Sequence, residues 1–302
     1  ARKKLAQALA AVGRGEEADE AFLEYFAQDE HRQALVLGAE HLRAGRSVEA
    51  IAAFRAVLKL DPDNVDAMRL LAMVWGREHA TRADAEALLR RAMTLAPDYA
   101  AVILNLGAVL LARGRRVEAV EIYLQAVRVA PHSDASWAGL ANTYALAHDT
   151  DKSVAAYASA VAINPGNANA QMGYAHVLKA VGEQDAAIAA YRAAVKIKPG
   201  FGEVYWSMAN LKTFRFEDTE ILAMEQSVAA PGLKDSTAAH FHFALGKAYE
   251  DRLDFARAWH HYDGGNRLQR PLVSHDPLAF EIQQTAIIEV FNASFLEAHA
   301  HC

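Results

Sequence analysis

Three groups of side chains in this sequence are of types that can do chemistry. Histidine is dense toward the C-terminus, at His240, His242, His260, His261, His275, His299 and His301. Imidazoles hold a metal when their nitrogens converge on one point. His240 and His242 are two residues apart and His260 and His261 are adjacent, so on helices the members of each pair point to different sides. We assign them to surface or packing, and His299-Ala300-His301-Cys302 to a frayed chain end. Arg113, Arg115 and Arg116 flank Gly114 as the tightest arginine cluster. Guanidinium groups grip phosphates and carboxylates, but no other residue nearby in sequence supports such a contact, and a solvated turn is expected. The third group is a register: Asn142, His176 and Asn210 recur every 34 residues, with Lys247 next in the row. Asn and neutral His side chains both donate and accept, so a ladder of them suits an extended peptide backbone.

Motifs for catalysis are missing. The sequence has no G-x-x-x-x-G-K-[ST] loop, no HExxH and no G-x-S-x-G. Gly200-Phe201-Gly202 lies in a turn and lacks the strand that a dinucleotide fingerprint needs. No catalytic residue, metal or cofactor is expected in this chain. Lys and Arg number 31 against 37 Asp and Glu, a net charge of −6, which argues against nucleic acid, whose binders carry a basic face. The one cysteine, Cys302, excludes an internal disulfide and a Cys-based zinc site, and fits a reducing, cytoplasmic setting. The most apolar run, residues 101–112, contains Asn105 and is too short to span a bilayer. The opening ARKKLAQALAAVG has the basic start and apolar middle of a signal peptide, yet Leu5, Ala6 and Leu9 fall in register with a repeat helix, and we read them so.

What must position the row is a period. Pro62, Pro97, Pro131, Pro165 and Pro199 are spaced by 35, 34, 34 and 34 residues. The stretch 168–201 shows the unit between them. Tyr174 and Ala175 fall in a first helix, Gly182 ends it, Ala187, Tyr191 and Ala194 fall in a second, and Pro199 closes it. Small residues let the two backbones approach while large ones fill the space beside them. Such a hairpin cannot bury its own apolar faces and needs neighbours of its kind. With a small residue, an aromatic and a closing proline in register at this period, the chain resembles the tetratricopeptide-repeat (TPR) family.

The resemblance implies an all-α, right-handed superhelix of about seven repeats. Residues 1–30 read as a degenerate first repeat, 31–201 as five regular repeats, 202–272 as two divergent repeats, and 273–302 as a C-terminal amphipathic helix. The repeat at 65–99 carries one extra residue near Glu78 to Asp84, and KTFRFEDTE after Leu211 breaks the period. In TPR proteins the first helices line a concave groove. The Asn142, His176 and Asn210 row would then face a bound peptide, beside a second row of Arg69, Met172, Trp206 and Phe243. Asn105 faces the same way, and Trp206 would be an exposed anchor of the kind that dominates interfaces.

The last third resembles something narrower. Residues from Met208 to about Ala298, NLKTFRFEDTEILAM and HFHFALGKAYEDRLDFARAWHHYDGGNRLQR among them, are similar to the linker region of bacterial TPR-containing sulfotransferases. In that family a domain with a Pro-Arg-Ser-Gly phosphate-binding loop comes next, taking sulfate from a phosphoadenosine phosphosulfate donor; no such run occurs here. Three readings stand side by side: a scaffold that binds a protein or peptide, the scaffold and linker of a sulfotransferase whose catalytic domain lies beyond residue 302, and a module that forms a homodimer through its C-terminal helix. No membrane partner is expected.

Overall fold

The computed structural model describes residues 30–211, 213–272 and 276–298; the first repeat expected over 1–30 and His275, His299 and His301 lie outside them. The described residues are helical and contain no strand. In order the helices are α1 (Glu30–Arg43), α2 (Ser47–Leu60), α3 (Val65–Trp75), α4 (Arg82–Leu95), α5 (Ala100–Ala112), α6 (Arg116–Val129), α7 (Asp134–Leu146) and α8 (Thr150–Ile163). Next come α9 (Ala168–Ala180), α10 (Gln184–Ile197), α11 (Gly202–Ala209), α12 (Asp218–Ala229), α13 (Asp235–Glu250), α14 (Phe255–Gln269), α15 (Pro277–Val290) and α16 (Ala293–Ala298). No helix among the described residues is long and apolar enough to cross a membrane. The described residues form two compact units that divide after Ala193, inside α10.

In the first unit, helices pair as hairpins and the hairpins stack, an all-helical solenoid. Successive first helices lie against one another: α1 on α3, α3 on α5, α5 on α7 and α7 on α9. They therefore share one side of the stack. The turn inside a hairpin is chemically uniform. Gly45 accepts φ +75°, Gly114 +74° and Gly182 +87°, and the next residue's N–H reaches back to a carbonyl of the helix's last turn, as Arg115 does to Leu110 (2.9 Å) and Glu183 to Leu178 (2.9 Å). This is the left-handed helix stop, which glycine adopts without strain. After α7 the same position is His148, at φ +61°. The extra residue near Glu78 is absorbed by a short 3₁₀ turn, His79–Thr81, and the Thr81 hydroxyl donates to the Trp75 carbonyl (2.7 Å).

Small residues do make the notches. A Cβ at Gly107 would stand 2.6 Å from the Tyr123 ring, and one at Gly139 of the next hairpin 2.2 Å from the same ring. Tyr123 is thus clasped between two first helices, with burial raising its pKa to about 12. Phe54 over Gly38 and Tyr157 over Gly173 repeat the device. An aromatic ring set on bare backbone buries on the order of 200 Å² and fixes the distance between hairpins.

The second unit explains the broken period. KTFRFEDTE turns two rings inward: Phe214 and Phe216 are buried, meet edge to face at 4.9 Å, and Phe216 lies beside Tyr205. Helix α12 starts at Asp218 as its acidic opening implies, with the Glu220 carboxylate accepting from the Glu217 N–H (2.9 Å). Helix α13 begins at Asp235, with Ser236 inside its first turn. Asp276 caps α15, its carboxylate accepting from Leu278 and Ala279 N–H. The C-terminal segment departs from the expected single amphipathic helix. Helix α15 ends at Val290, Asn292 caps α16 by accepting from the Phe295 N–H (3.0 Å), and apolar residues of α15 are exposed on every side.

Candidate functional site

The candidate site is the shared first-helix side of the first unit. Asp66, Arg69 and Tyr99 build its first station. The Tyr99 hydroxyl donates to Asp66 (2.7 Å) across the hairpin boundary. The Arg69 guanidinium lies 5.9 Å from the Tyr99 ring and 3.8 Å from Asp66. Burial and the Asp66 carboxylate raise the Tyr99 pKa, so the phenol stays a donor. Arg69 Nε is buried and has no hydrogen-bond acceptor. Asn105, half-buried on α5, likewise has its Nδ2 buried without an acceptor. Asn142 on α7 and His176 on α9 are exposed, and Met172 is half-buried. The His176 ring meets Tyr191 edge on at 5.6 Å, which fixes its base on its own hairpin.

The remaining members sit in the second unit and are committed elsewhere. Asn210 is the C-cap of α11, and its amide donates to the Trp206 carbonyl (3.0 Å). A short helix ends there, so the position that is mid-helix in earlier repeats becomes a cap. Trp206 is half-buried, its ring 5.2 Å from that of Phe243; it is packing and no exposed anchor. Lys247 pairs with Asp251. An open cleft of about 640 Å³ is lined by Asp98, Gln125, Arg128 and Val129, none of them in either row.

Two polar clusters show pairings that the spacing along the chain does not reveal. Arg113 and Arg115 stay a third or more exposed at the turn but are paired. They close on Glu86 of α4, a nearly buried carboxylate that accepts from Arg113, from Arg115 (2.7 and 2.8 Å) and from Arg90 (2.7 Å). Arg90 also reaches Glu118 (3.1 Å), so α4 and α6 are joined by long charged side chains. Burial pushes the Glu86 carboxyl up, but Arg90 and Arg115 outweigh it and hold its pKa below the usual range. These arginines are used within the fold, not offered to a phosphate.

His242 and His261 meet across the α13–α14 hairpin, Nδ1 to Nδ1 at 3.1 Å. One ring must donate and the other accept, so one proton lies between them and the two Nδ1 atoms cannot both carry one. Burial, then His242 and His260, push the His261 pKa down to about 4. The ring also stacks on Tyr249 at 5.6 Å. Spacing within one helix could not reveal a pairing between two. The signal was Gly264-Gly265 on α14: a Cβ at the first would lie 3.0 Å from His242 and one at the second 2.9 Å from Phe243. Among the described residues no three His, Cys, Asp or Glu converge as a metal site needs.

Stacked hairpins, a 34-residue period and a polar first-helix side define a helical-repeat scaffold of the kind that contacts other proteins. Family models described as tetratricopeptide repeat match residues 3–64, 35–77, 81–143 and 144–211, and the chain belongs to the tetratricopeptide-repeat family. A thermophilic TPR protein of Thermus thermophilus is similar in structure: 22% identical, TM-score 0.51, with 56% of this chain and 92% of that one covered. MamA from Desulfovibrio magneticus, residues 41 to the end, is 15% identical with a TM-score of 0.48, covering 56% and 96%; another MamA structure is 22% identical with a TM-score of 0.46, covering 54% and 94%. Among curated proteins nothing matches the chain. The narrower likeness of residues 208–298 to a sulfotransferase linker gains no support, since the family-model matches end at Leu211.

Proposed function

We propose that this chain binds an extended segment of a partner protein along the first helices of its first unit, from Arg69 and Asn105 through Asn142 to Met172 and His176. One observation carries the reading: Asn105 Nδ2 is a buried donor without an acceptor. An unmatched buried donor costs about 1–3 kcal/mol, and such groups call for an explanation. A peptide carbonyl is the simplest acceptor. Asn105 is only partly buried, so its side chain borders the surface of the first-helix side. A stack of rigid helices offers many modest contacts in a row without having to order itself on binding.

The test uses the full chain as bait for a random 12-residue peptide library displayed on phage. Selected peptides should bind the native chain and lose about tenfold in affinity to Asn105→Ala and to Asn142→Ala, the cost of about 1.4 kcal/mol for each polar contact. Asn210→Ala should leave affinity unchanged, because that amide caps its own helix. Peptides that bind all three variants equally would show that the row plays no part.

A further inference from the structure

Two apolar surfaces of the second unit are left to water, and each can cover the other. The first is on the last hairpin, where Leu253, Phe255 and Trp259 are 74%, 63% and 73% exposed. Phe255 and Trp259 are one turn apart on α14 and form a stripe, with Leu253 in the turn before it. Leu253 has φ +61°. Its hairpin turn has the same hydrogen bonds as the others, Asp254 N–H reaching the Tyr249 carbonyl (3.0 Å), yet glycine fills the position at 45, 114 and 182. A branched side chain in this backbone region costs about 1–2 kcal/mol. Neither the turn nor the core gains from a leucine there.

The second surface is α15, which has no buried residue. Phe280, Ile282 and Ile288 are more than half exposed and point to different sides of the helix. Apolar residues spread around a helix cannot all face one neighbour, so a single packing surface leaves some of them wet. Folding back on its own α14 would cover one side and leave the other wet. A two-fold pair of chains covers both, since each α15 can lie between the partner's α14 stripe and the partner's α15. Nine large apolar side chains are exposed on the stripe and α15 together. At about 100 Å² apiece they supply roughly 900 Å² per copy, against the ~800 Å² per partner of a standard stable interface.

We propose that this protein forms a symmetric dimer in which α15 of each copy docks on the Leu253–Phe255–Trp259 stripe of the other. Sedimentation of the full chain from about 0.1 to 100 μM should show a monomer–dimer equilibrium. Trp259→Glu and Ile288→Glu should each weaken it at least tenfold, while Val117→Glu, an equally exposed site in the first unit, should not. Leu253→Gly keeps the test independent of misfolding: it relieves the strained turn, so it should raise the melting temperature of the monomer while weakening the dimer. A chain that stays monomeric throughout overturns the proposal. So does a dimer indifferent to Trp259→Glu, which would pair through α15 alone, and so does one that Val117→Glu breaks equally.

Discussion

Glu86 in the first unit and His261 in the second are both enclosed where helices meet, and they are kept in opposite charge states. Glu86 is an ion with a side chain only 7% exposed, surrounded by three guanidinium groups that are each a third or more exposed. His261 is a neutral ring that shares a proton with His242. The difference comes from the side chains able to reach each site. Long arginine side chains bring charge in while leaving their heads partly in water. The imidazoles are short, and burial with two neighbouring histidines leaves them no way to hold a second proton. The same hairpin architecture therefore has an ionic clasp in one place and a neutral one in another.

The largest test of this contrast removes the ion. Glu86→Ala removes the common acceptor of Arg90, Arg113 and Arg115, leaving Arg90 and Arg115 only Glu118. Breaking a fully buried pair costs about 3–5 kcal/mol; these arginines can recover water, so a loss of about 2–3 kcal/mol is expected in urea unfolding. A loss below about 0.5 kcal/mol would put the cluster among ordinary surface ion pairs.

Acid separates the two clasps. His261 titrates near 4 in the fold against an ordinary 6.5. Between those values the unfolded chain takes up a proton that the folded chain refuses, so stability falls as pH drops from 6.5 to 4 and levels off below. Partial solvation and coupling to His242 reduce the effect to about 2 kcal/mol. Glu86 has its pKa held below the ordinary 4.5; its contribution is intact above that value and is lost only as pH falls through the folded pKa. Hydrogen exchange should accelerate in α13 and α14 by pH 5 while α4 and α6 stay protected. His261→Gln should flatten the first step. Simultaneous loosening of both regions would contradict the assignment.

A smaller contrast lies in the glycines. A methyl at Gly139 meets the Tyr123 ring at 2.2 Å, where the ring is already clasped by Gly107, whereas a methyl at Gly264 meets His242 at 3.0 Å. Overpacking costs about 1–3 kcal/mol, so Gly139→Ala should lose about 1–2 kcal/mol and Gly264→Ala clearly less. Equal losses would mean that the His242 ring is as firmly seated as the tyrosine.

The prolines and small residues made the hairpins legible because a period of 34 encodes geometry directly: each residue type recurs where the same notch or turn recurs. Pairings across hairpins are not periodic. Glu86 in one repeat and Arg113 and Arg115 in the next share no motif, and the arginines looked solvated. His242 and His261 lie 19 residues apart on facing helices, a relation that the spacing within either helix does not express. Of the candidate row, Arg69, Asn105, Asn142, Met172 and His176 lie on successive first helices of one unit as expected. Asn210 failed the pattern because α11 is short, so its end falls where other repeats are still helical, and Trp206, inside α11, is taken up by packing on Phe243. The exposed Trp259 stripe was missed altogether, since burial and exposure on the last hairpin depend on the neighbour packed against it rather than on the repeat pattern.

The smallest effect concerns the turns. His148 occupies a left-handed position, φ +61°, that glycine fills in the neighbouring hairpins at Gly114 and Gly182. The strain costs about 1–2 kcal/mol, and glycine returns part of that gain through its freer unfolded chain. His148→Gly should therefore stabilise the first unit by about 0.5–1 kcal/mol in urea unfolding. Gly182→His, the reverse exchange one repeat later, should cost a similar amount. If His148→Gly destabilises instead, the histidine makes a contact that outweighs its backbone strain, and the hairpin turns are less alike than their hydrogen bonds imply.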